Sequence, residues 1–476
     1  MLILRIGAVM SNSLCSNELV EPSAVSASTK GGRIGLGCGS RALPQVLRAR
    51  NALSAPTRNA GATNQLHTCR PGTARAISPW AMSKAAFWTL WCFVLILPWE
   101  NVIVIPVLGS IPRIVGLVAL AAGVLYVLAR RQVRPLSWFH VFAVLFVLWA
   151  GVSGFWSIDP EATRVLFLTY LQLIVLLWLI WEIAWSPERQ RALLQAYVLG
   201  VSFAAVVTVH RYLSHVAIVD EATRFTALSF NVNELGMTLV LGLPMAWYLS
   251  FSQPHQRLAW IWRLYIPLGV TAILLTASRG AFLAALVALA IIPWTLGRLR
   301  LRTKVALYVF CAGTLFAASQ FVPESSWERI ETIRSDMDAG YFGGRGAIWK
   351  AGLEVAEEHP LVGVGAGAYG AAVEPTLYFA WSSHSVPLAI LVDNGIVGLL
   401  LLLGAVAAVA IPVRHLPPLQ RRFSIVLLLA VAVTSLSGEW EDRKAFWFVF
   451  GVLAAQVLYR PAEKRVSPAV PVRVRP

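Results

Sequence analysis

Charge is scarce in this sequence. Only 13% of its 476 residues are Asp, Glu, Lys or Arg, about half the share of an ordinary soluble chain. That shortage excludes a water-soluble globular protein of this length. Cysteine is scarce too, with five in all. Cys92 and Cys311 fall inside apolar runs, Cys15, Cys38 and Cys69 lie in the N-terminal part, and no spacing suggests a metal site, a redox pair or a disulfide framework. Alternating strands of about ten residues are missing as well, which excludes a membrane β-barrel. Acids are outnumbered, and the net charge is +16. The bases do not form a nucleic-acid face, however: they sit in short connections between apolar runs and at the two ends, where cytoplasmic loops meet anionic lipid. No nucleic-acid partner is expected.

What the chain has in abundance is hydrophobic sequence, 57% of all residues. Apolar runs long enough to cross about 30 Å of hydrocarbon recur from Phe87 to Leu458. Inside lipid the backbone polar groups must be satisfied within each segment, so continuous runs of about 20 residues are read as helices. The fold class expected is an all-α polytopic transmembrane helix bundle of about twelve spans with a long, partly helical periplasmic loop. The spans fall at about 86–105, 111–129, 138–156, 163–184, 192–212, 233–251, 259–277, 280–296, 305–322, 385–411, 423–437 and 444–459.

Residues 1–81 are rich in Ser, Ala, Gly and Arg and hold no packed-core pattern. They are read as a disordered or mis-annotated extension, with translation expected to begin at Met82, just before the first span. Residues 82–322 then carry spans one to nine, 323–384 the outer loop, 385–459 the last three spans and 460–476 a basic tail. Placing the first end in the cytoplasm puts Arg130, Arg131, Arg134, Arg189, Arg191, Arg257, Arg298, Arg300, Arg302, Lys304, Arg414, Arg421 and Arg422 inside. Acids such as Glu100, Asp159, Glu161, Glu439 and Asp442 then lie outside. The expected location is the bacterial inner membrane, with both termini cytoplasmic and the active face periplasmic.

Four outward-facing features bear chemistry. Thr276-Ala277-Ser278-Arg279-Gly280 joins two spans with almost no loop and sets Arg279 at the membrane boundary, where a guanidinium either snorkels or meets an anion. In the long loop, Gly343-Gly344-Arg345-Gly346-Ala347-Ile348-Trp349 opens an amphipathic helix that runs to Glu358-His359-Pro360. Arg345 would stand at its N-terminus, which already favours an anion. Gly363-Val364-Gly365-Ala366-Gly367 is read as a turn rather than a nucleotide loop, because no strand precedes it and no Lys-Ser/Thr follows. Ser383-His384-Ser385 leads into a span carrying Asp393-Asn394-Gly395; an imidazole at that interface can take a proton near neutral pH, and Asn394-Gly395 marks a break in the helix.

At these residues the sequence resembles the O-antigen ligase family of membrane glycosyltransferases, which includes O-antigen polymerases. The resemblance runs from about Arg224 to Phe450. It rests on Asn231-Val232-Asn233, Ser278-Arg279-Gly280, Gly344-Arg345 with Trp349, His359-Pro360-Leu361-Val362-Gly363-Val364-Gly365, His384, Asp393-x-Gly395-x-x-Gly398-Leu399 and the Glu441–Trp447 segment. The chain departs from the family pattern in having Ser385 where Asn is common and Asp393 where Glu is common.

The resemblance implies transfer of a glycan from an undecaprenyl diphosphate carrier to an acceptor hydroxyl of a glycolipid, glycan or protein, in contact with membrane lipid and with no metal or other cofactor. Arg279 and Arg345 would hold the diphosphate, His384 would orient or deprotonate the acceptor, and Asn233 and Asp393 would join them in substrate binding. Ligase comes first and polymerase second. A secondary transporter also suits twelve spans with both ends inside, but the halves show no similarity.

Overall fold

The computed structural model describes residues 79–99, 104–105, 109–214, 225–227, 231–252, 259–295 and 345–457, with scattered positions between 297 and 327. The proposed extension before Pro79, the ninth span at 305–322 apart from isolated helical positions, and the basic tail lie outside the described residues.

In chain order the helices are α1 (Pro79–Ile96), α2 (Ile111–Arg130), α3 (Trp138–Val152), α4 (Pro160–Ile183), α5 (Pro187–Leu213), α6 (Val232–Ser252) and α7 (Ala259–Leu275). They continue as α8 (Arg279–Leu289), α9 (Ile291–Thr295), α10 (Arg345–Glu358), α11 (Tyr369–Leu377), α12 (Val386–Ala410), α13 (Pro418–Ser435) and α14 (Lys444–Val457). A two-residue antiparallel pairing of Val104–Ile105 with Gly109–Ser110 is the only strand structure among the described residues. The architecture is the all-α polytopic bundle that the apolar runs imply, and eight of its helical segments are long and apolar enough to cross a membrane.

Local chemistry sets the helix ends. α4 and α5 start earlier than hydrophobicity alone places them, because Asp159-Pro160 and Ser186-Pro187 each pair an N-cap side chain with a proline in the first turn. The Asp159 carboxylate accepts the Ala162 N–H at 3.0 Å. α1 stops short of the expected boundary at a 3-10 turn around Pro98. The expected span at 280–296 is interrupted between α8 and α9, where Pro293 has no N–H to give to the carbonyl one turn back.

Helices α6 and α14 form the interior, since nearly every residue of each is buried. By contrast, α2 exposes Leu117, Val118, Leu125 and Leu128, the apolar face expected of a helix against lipid. Lipid tails are as apolar as leucine, so close packing rather than hydrophobic exclusion must hold such helices together. Gly236 of α6 illustrates this: a Cβ there would come within 2.7 Å of Ala281 on α8.

Bases collect at the ends of α2, α5 and α13 opposite to α10 and α11. There Arg130 pairs with the fully buried Glu182 at 3.1 Å, and Arg422 donates to the Trp294 carbonyl at 2.7 Å. At the other end α10 packs against α11 and α12 and covers the bundle. Its buried side is Ile348, Ala351, Gly352 and Ala356, while Lys350, Glu354, Glu357 and Glu358 are exposed. The helix is amphipathic, as expected from the sequence.

Candidate active site at the capped end of the bundle

Four chain segments meet at the capped end: the α7–α8 turn, the start of α10, the residues before α12, and 436–443 between α13 and α14. Thr276-Ala277-Ser278 makes the first turn, with Ala277 at φ 49° and the Ser278 hydroxyl capping α8 through the Ala281 N–H. Arg279 is therefore the first residue of α8. Gly280, its neighbour, lies so close to Ser437 that a Cβ would overlap the serine hydroxyl. Ser437 also receives Arg345, whose Nη1 donates to the Ser437 carbonyl at 2.9 Å. One serine thus links the two arginine-bearing segments. Burial pulls the Arg345 guanidinium below its ordinary pKa, and the Arg279 charge adds to that effect. Two cations are held near each other in a partly dry setting, which favours a bound anion.

His384 adopts φ 53°, a left-handed conformation uncommon for a residue with a Cβ. Four hydrogen bonds hold the turn around it. The Glu439 carboxylate accepts the Ser383 N–H and, at 3.3 Å, the His384 N–H. The Trp349 indole donates to the Ser383 carbonyl at 2.8 Å, and the Ser383 hydroxyl accepts the Ser385 N–H at 3.0 Å. The imidazole is half-buried, and its pKa is lowered first by burial and then by Arg345, with Glu439 pulling the other way. A neutral imidazole is therefore favoured, the form that can accept a proton.

Asp393 occupies the broken part of α12. Gly395 there has φ 65° and ψ −170°, so the helix opens and the glycine segment inserts beside it. Val364 and Gly365 donate to the carbonyls of Val392 and Asp393 at 2.9 Å each, and Ile396 donates to the Pro360 carbonyl at 2.9 Å. The Asp393 Oδ2 accepts the Gly367 N–H at 2.7 Å, while its Oδ1 is buried with no hydrogen-bond partner. Asp393 thus ties the glycine segment to α12.

Asn233 stands in the first turn of α6, next to Glu234, which pairs with Arg443 at 2.7 Å. The α6 helix touches the α7–α8 turn through Gly236, so Asn233 belongs to the same end of the bundle. Arg279, Arg345 and His384 come together around Ser437 and Glu439; Asn233 and Asp393 lie in adjoining elements.

Two residues of this arrangement were not singled out from the sequence. Glu439 figured there only as an outward acid that orients the chain, and Ser437 contributes a backbone carbonyl, for which sequence has no signal. Around Glu439 lie Glu441 and Asp442. Burial raises the pKa of both, and the charges of Glu439 and Asp442 raise Glu441 further. Among the described residues no group of three His, Cys, Asp or Glu side chains is arranged to hold a metal ion.

Two comparisons place this chain beside known proteins. Residues 264–403, from α7 to most of α12, match a family model described as O-antigen ligase. The chain is 26% identical over 284 residues to the exopolysaccharide production protein ExoQ of Rhizobium meliloti (strain 1021). That alignment covers 56% of this chain and 63% of the relative, so the chain spans less than two thirds of the relative's length. The helical bundle is that of a multi-pass membrane protein, and its segment 264–403 is similar to the O-antigen ligase family.

Proposed function

We propose that the protein transfers a glycan from an undecaprenyl diphosphate carrier to an acceptor hydroxyl, at the periplasmic face of the bacterial inner membrane. The observation that carries this reading is the convergence of Arg345 and the Gly280 neighbour of Arg279 on Ser437, beside the Glu439-held His384 turn. The family match supports a role in polysaccharide assembly; the donor and the residue roles are this reading's own.

In the proposed step the acceptor oxygen attacks the anomeric carbon of the donor sugar. The bond from that carbon to the diphosphate oxygen breaks, and the diphosphate leaves with the electron pair. Arg279 and Arg345 offset its charge with planar, forked hydrogen bonds, the role a divalent metal fills elsewhere. His384, favoured neutral, takes the hydroxyl proton. Asn233 and Asp393 support the binding surface, Asp393 through the glycine segment it anchors.

The carrier's lipid explains why such a site is built at a membrane boundary. The basic connections at the opposite end of the bundle support the orientation with both termini in the cytoplasm. A second reading, polymerisation in which the acceptor is itself a carrier-linked glycan, draws support from the likeness to a protein of exopolysaccharide production. The test is direct: purified protein in lipid nanodiscs is given an undecaprenyl diphosphate-linked glycan with glycolipid or carrier-linked acceptors. The expected result is glycan transfer with release of undecaprenyl diphosphate. No transfer to any acceptor class, with the donor intact, would reject the reading.

A further inference from the structure

Beside the His384 turn lies a cleft of about 490 Å³, within the ~300–1,000 Å³ span of small-molecule sites. Its titratable lining is Glu161, Asp393, Glu439, Glu441 and Asp442 with Arg443. The arginine is taken, paired with Glu234 at 2.7 Å and Asp442 at 3.1 Å. Neither Arg279 nor Arg345 lines the cleft. A diphosphate is repelled from such a wall, so the cleft and the arginine pair must receive different chemical groups.

Two further features point to a ligand. Asp393 is 4% exposed and lines the cleft, yet its Oδ1 has no hydrogen-bond partner. Leaving a buried carboxyl oxygen unpaired is costly, and a ligand hydroxyl hydrogen-bonded to it removes that cost. Trp381 also lines the cleft and is 47% exposed, an indole presented at the opening. An exposed aromatic face beside a row of carboxylates suits a pyranose ring. The ring's C–H face packs on the indole while its hydroxyls donate to the carboxylates.

We infer that this cleft is the subsite for an uncharged sugar ring of the acceptor, placed beside the His384 turn, and that it discriminates against uronic acids and other anionic sugars. The inference rests on the proposed glycan transfer and adds the class of sugar the site accepts. Glu439 links the two parts: it lines the cleft and also holds the His384 backbone. Burial and neighbouring acids raise the Glu441 carboxyl well above its usual range, so it also holds a proton to donate to a ring or hydroxyl oxygen. The Glu161 and Glu439 carboxylates of the lining admit a neutral sugar and repel a carboxylate-bearing one.

The experiment measures binding alone, so it stands apart from the outcome of any transfer assay. Saturation-transfer difference NMR on the full chain in nanodiscs would compare cellotriose with tri-galacturonic acid. The expected result is cellotriose binding at least about tenfold tighter than the acidic trisaccharide, weakened at least about tenfold by Trp381→Ala and restored by Trp381→Phe. Trp381 is exposed, so its removal leaves the bundle core untouched. Equal affinity for tri-galacturonic acid, or cellotriose binding unchanged in Trp381→Ala, would overturn the subsite. Excess undecaprenyl diphosphate-glucose tells the two sources of sugar apart. Cellotriose that stays bound supports the acceptor assignment; its competitive displacement would overturn that assignment and give the cleft to the donor's sugar.

Discussion

The Glu439 carboxylate accepts the backbone N–H of His384 at 3.3 Å, reaching across 55 positions of sequence to hold a residue at φ 53°. The same oxygen accepts the Ser383 N–H. A left-handed conformation in a residue with a Cβ costs about 1–3 kcal/mol and persists only where the surroundings impose it. Glu439 is therefore a positioning residue for His384. Glu439→Ala should cut transfer by at least about tenfold, whereas Glu439→Gln keeps a carbonyl oxygen for the two N–H groups and should recover much of kcat. The check is kcat and KM for both variants at matched membrane levels. Equal loss in Gln and Ala variants would assign the effect to the charge instead.

The acid limb of the pH–rate profile follows from the same geometry. In the proposed step neutral His384 accepts the proton, and burial with the nearby Arg345 charge lowers its pKa from 6.5. Transfer should therefore fall on acidification with a midpoint below 6.5, as the imidazole becomes protonated. Glu439 raises the His384 pKa, so Glu439→Gln should move that midpoint further down, while Arg345→Met should move any residual activity's midpoint up. A profile flat to pH 5 in the wild type and both variants would remove His384 from the proton transfer.

The break in α12 requires glycine. Gly395, at φ 65° and ψ −170°, occupies backbone space that other residues enter at a cost of about 1–3 kcal/mol. A Cβ there would also overlap the Leu361 backbone. Gly395→Ala should lower the thermal midpoint of the detergent-solubilised protein by several degrees and reduce activity through the displaced glycine segment. Gly297→Ala, at an exposed position, serves as the control and should leave both nearly unchanged.

Orientation is checked with single cysteines in a variant freed of its native ones. Lys350 on α10 and Arg421 on α13 are both exposed, at opposite ends of the bundle. In intact cells an impermeant maleimide should label Lys350→Cys and spare Arg421→Cys until the membrane is opened. The reverse pattern would invert the proposed topology and place the site in the cytoplasm.

Much of this molecule was legible in its sequence because lipid leaves few options. Long apolar runs must become helices, and α6 and α12 fall within a few residues of their expected limits. The errors have local causes. Proline and N-cap side chains start α4 and α5 early, Pro98 ends α1, and Pro293 divides α8 from α9. At the site, Arg279, Arg345 and His384 announced themselves as polar residues where apolar ones are expected. Their meeting around Ser437 and Glu439 did not, since it depends on helix packing and on a backbone carbonyl. Asp393 shows the opposite limit: an acid in a membrane helix reads as a ligand group, and only the fold reveals that one of its oxygens secures the Gly367 N–H.

The central claim is that Arg279 and Arg345 clamp a diphosphate by geometry as well as charge, and that His384 serves the acceptor. The most direct measurement is donor affinity beside single-turnover transfer rate for Arg279→Lys, Arg345→Lys and His384→Ala, each in nanodiscs with undecaprenyl diphosphate-linked glycan. Lysine keeps the charge and loses the fork, so both lysine variants should bind donor more weakly and transfer at least about tenfold more slowly. His384→Ala should keep its donor affinity and lose about 10²–10⁴-fold in rate. Full activity in the lysine variants together with undiminished transfer by His384→Ala would contradict the account.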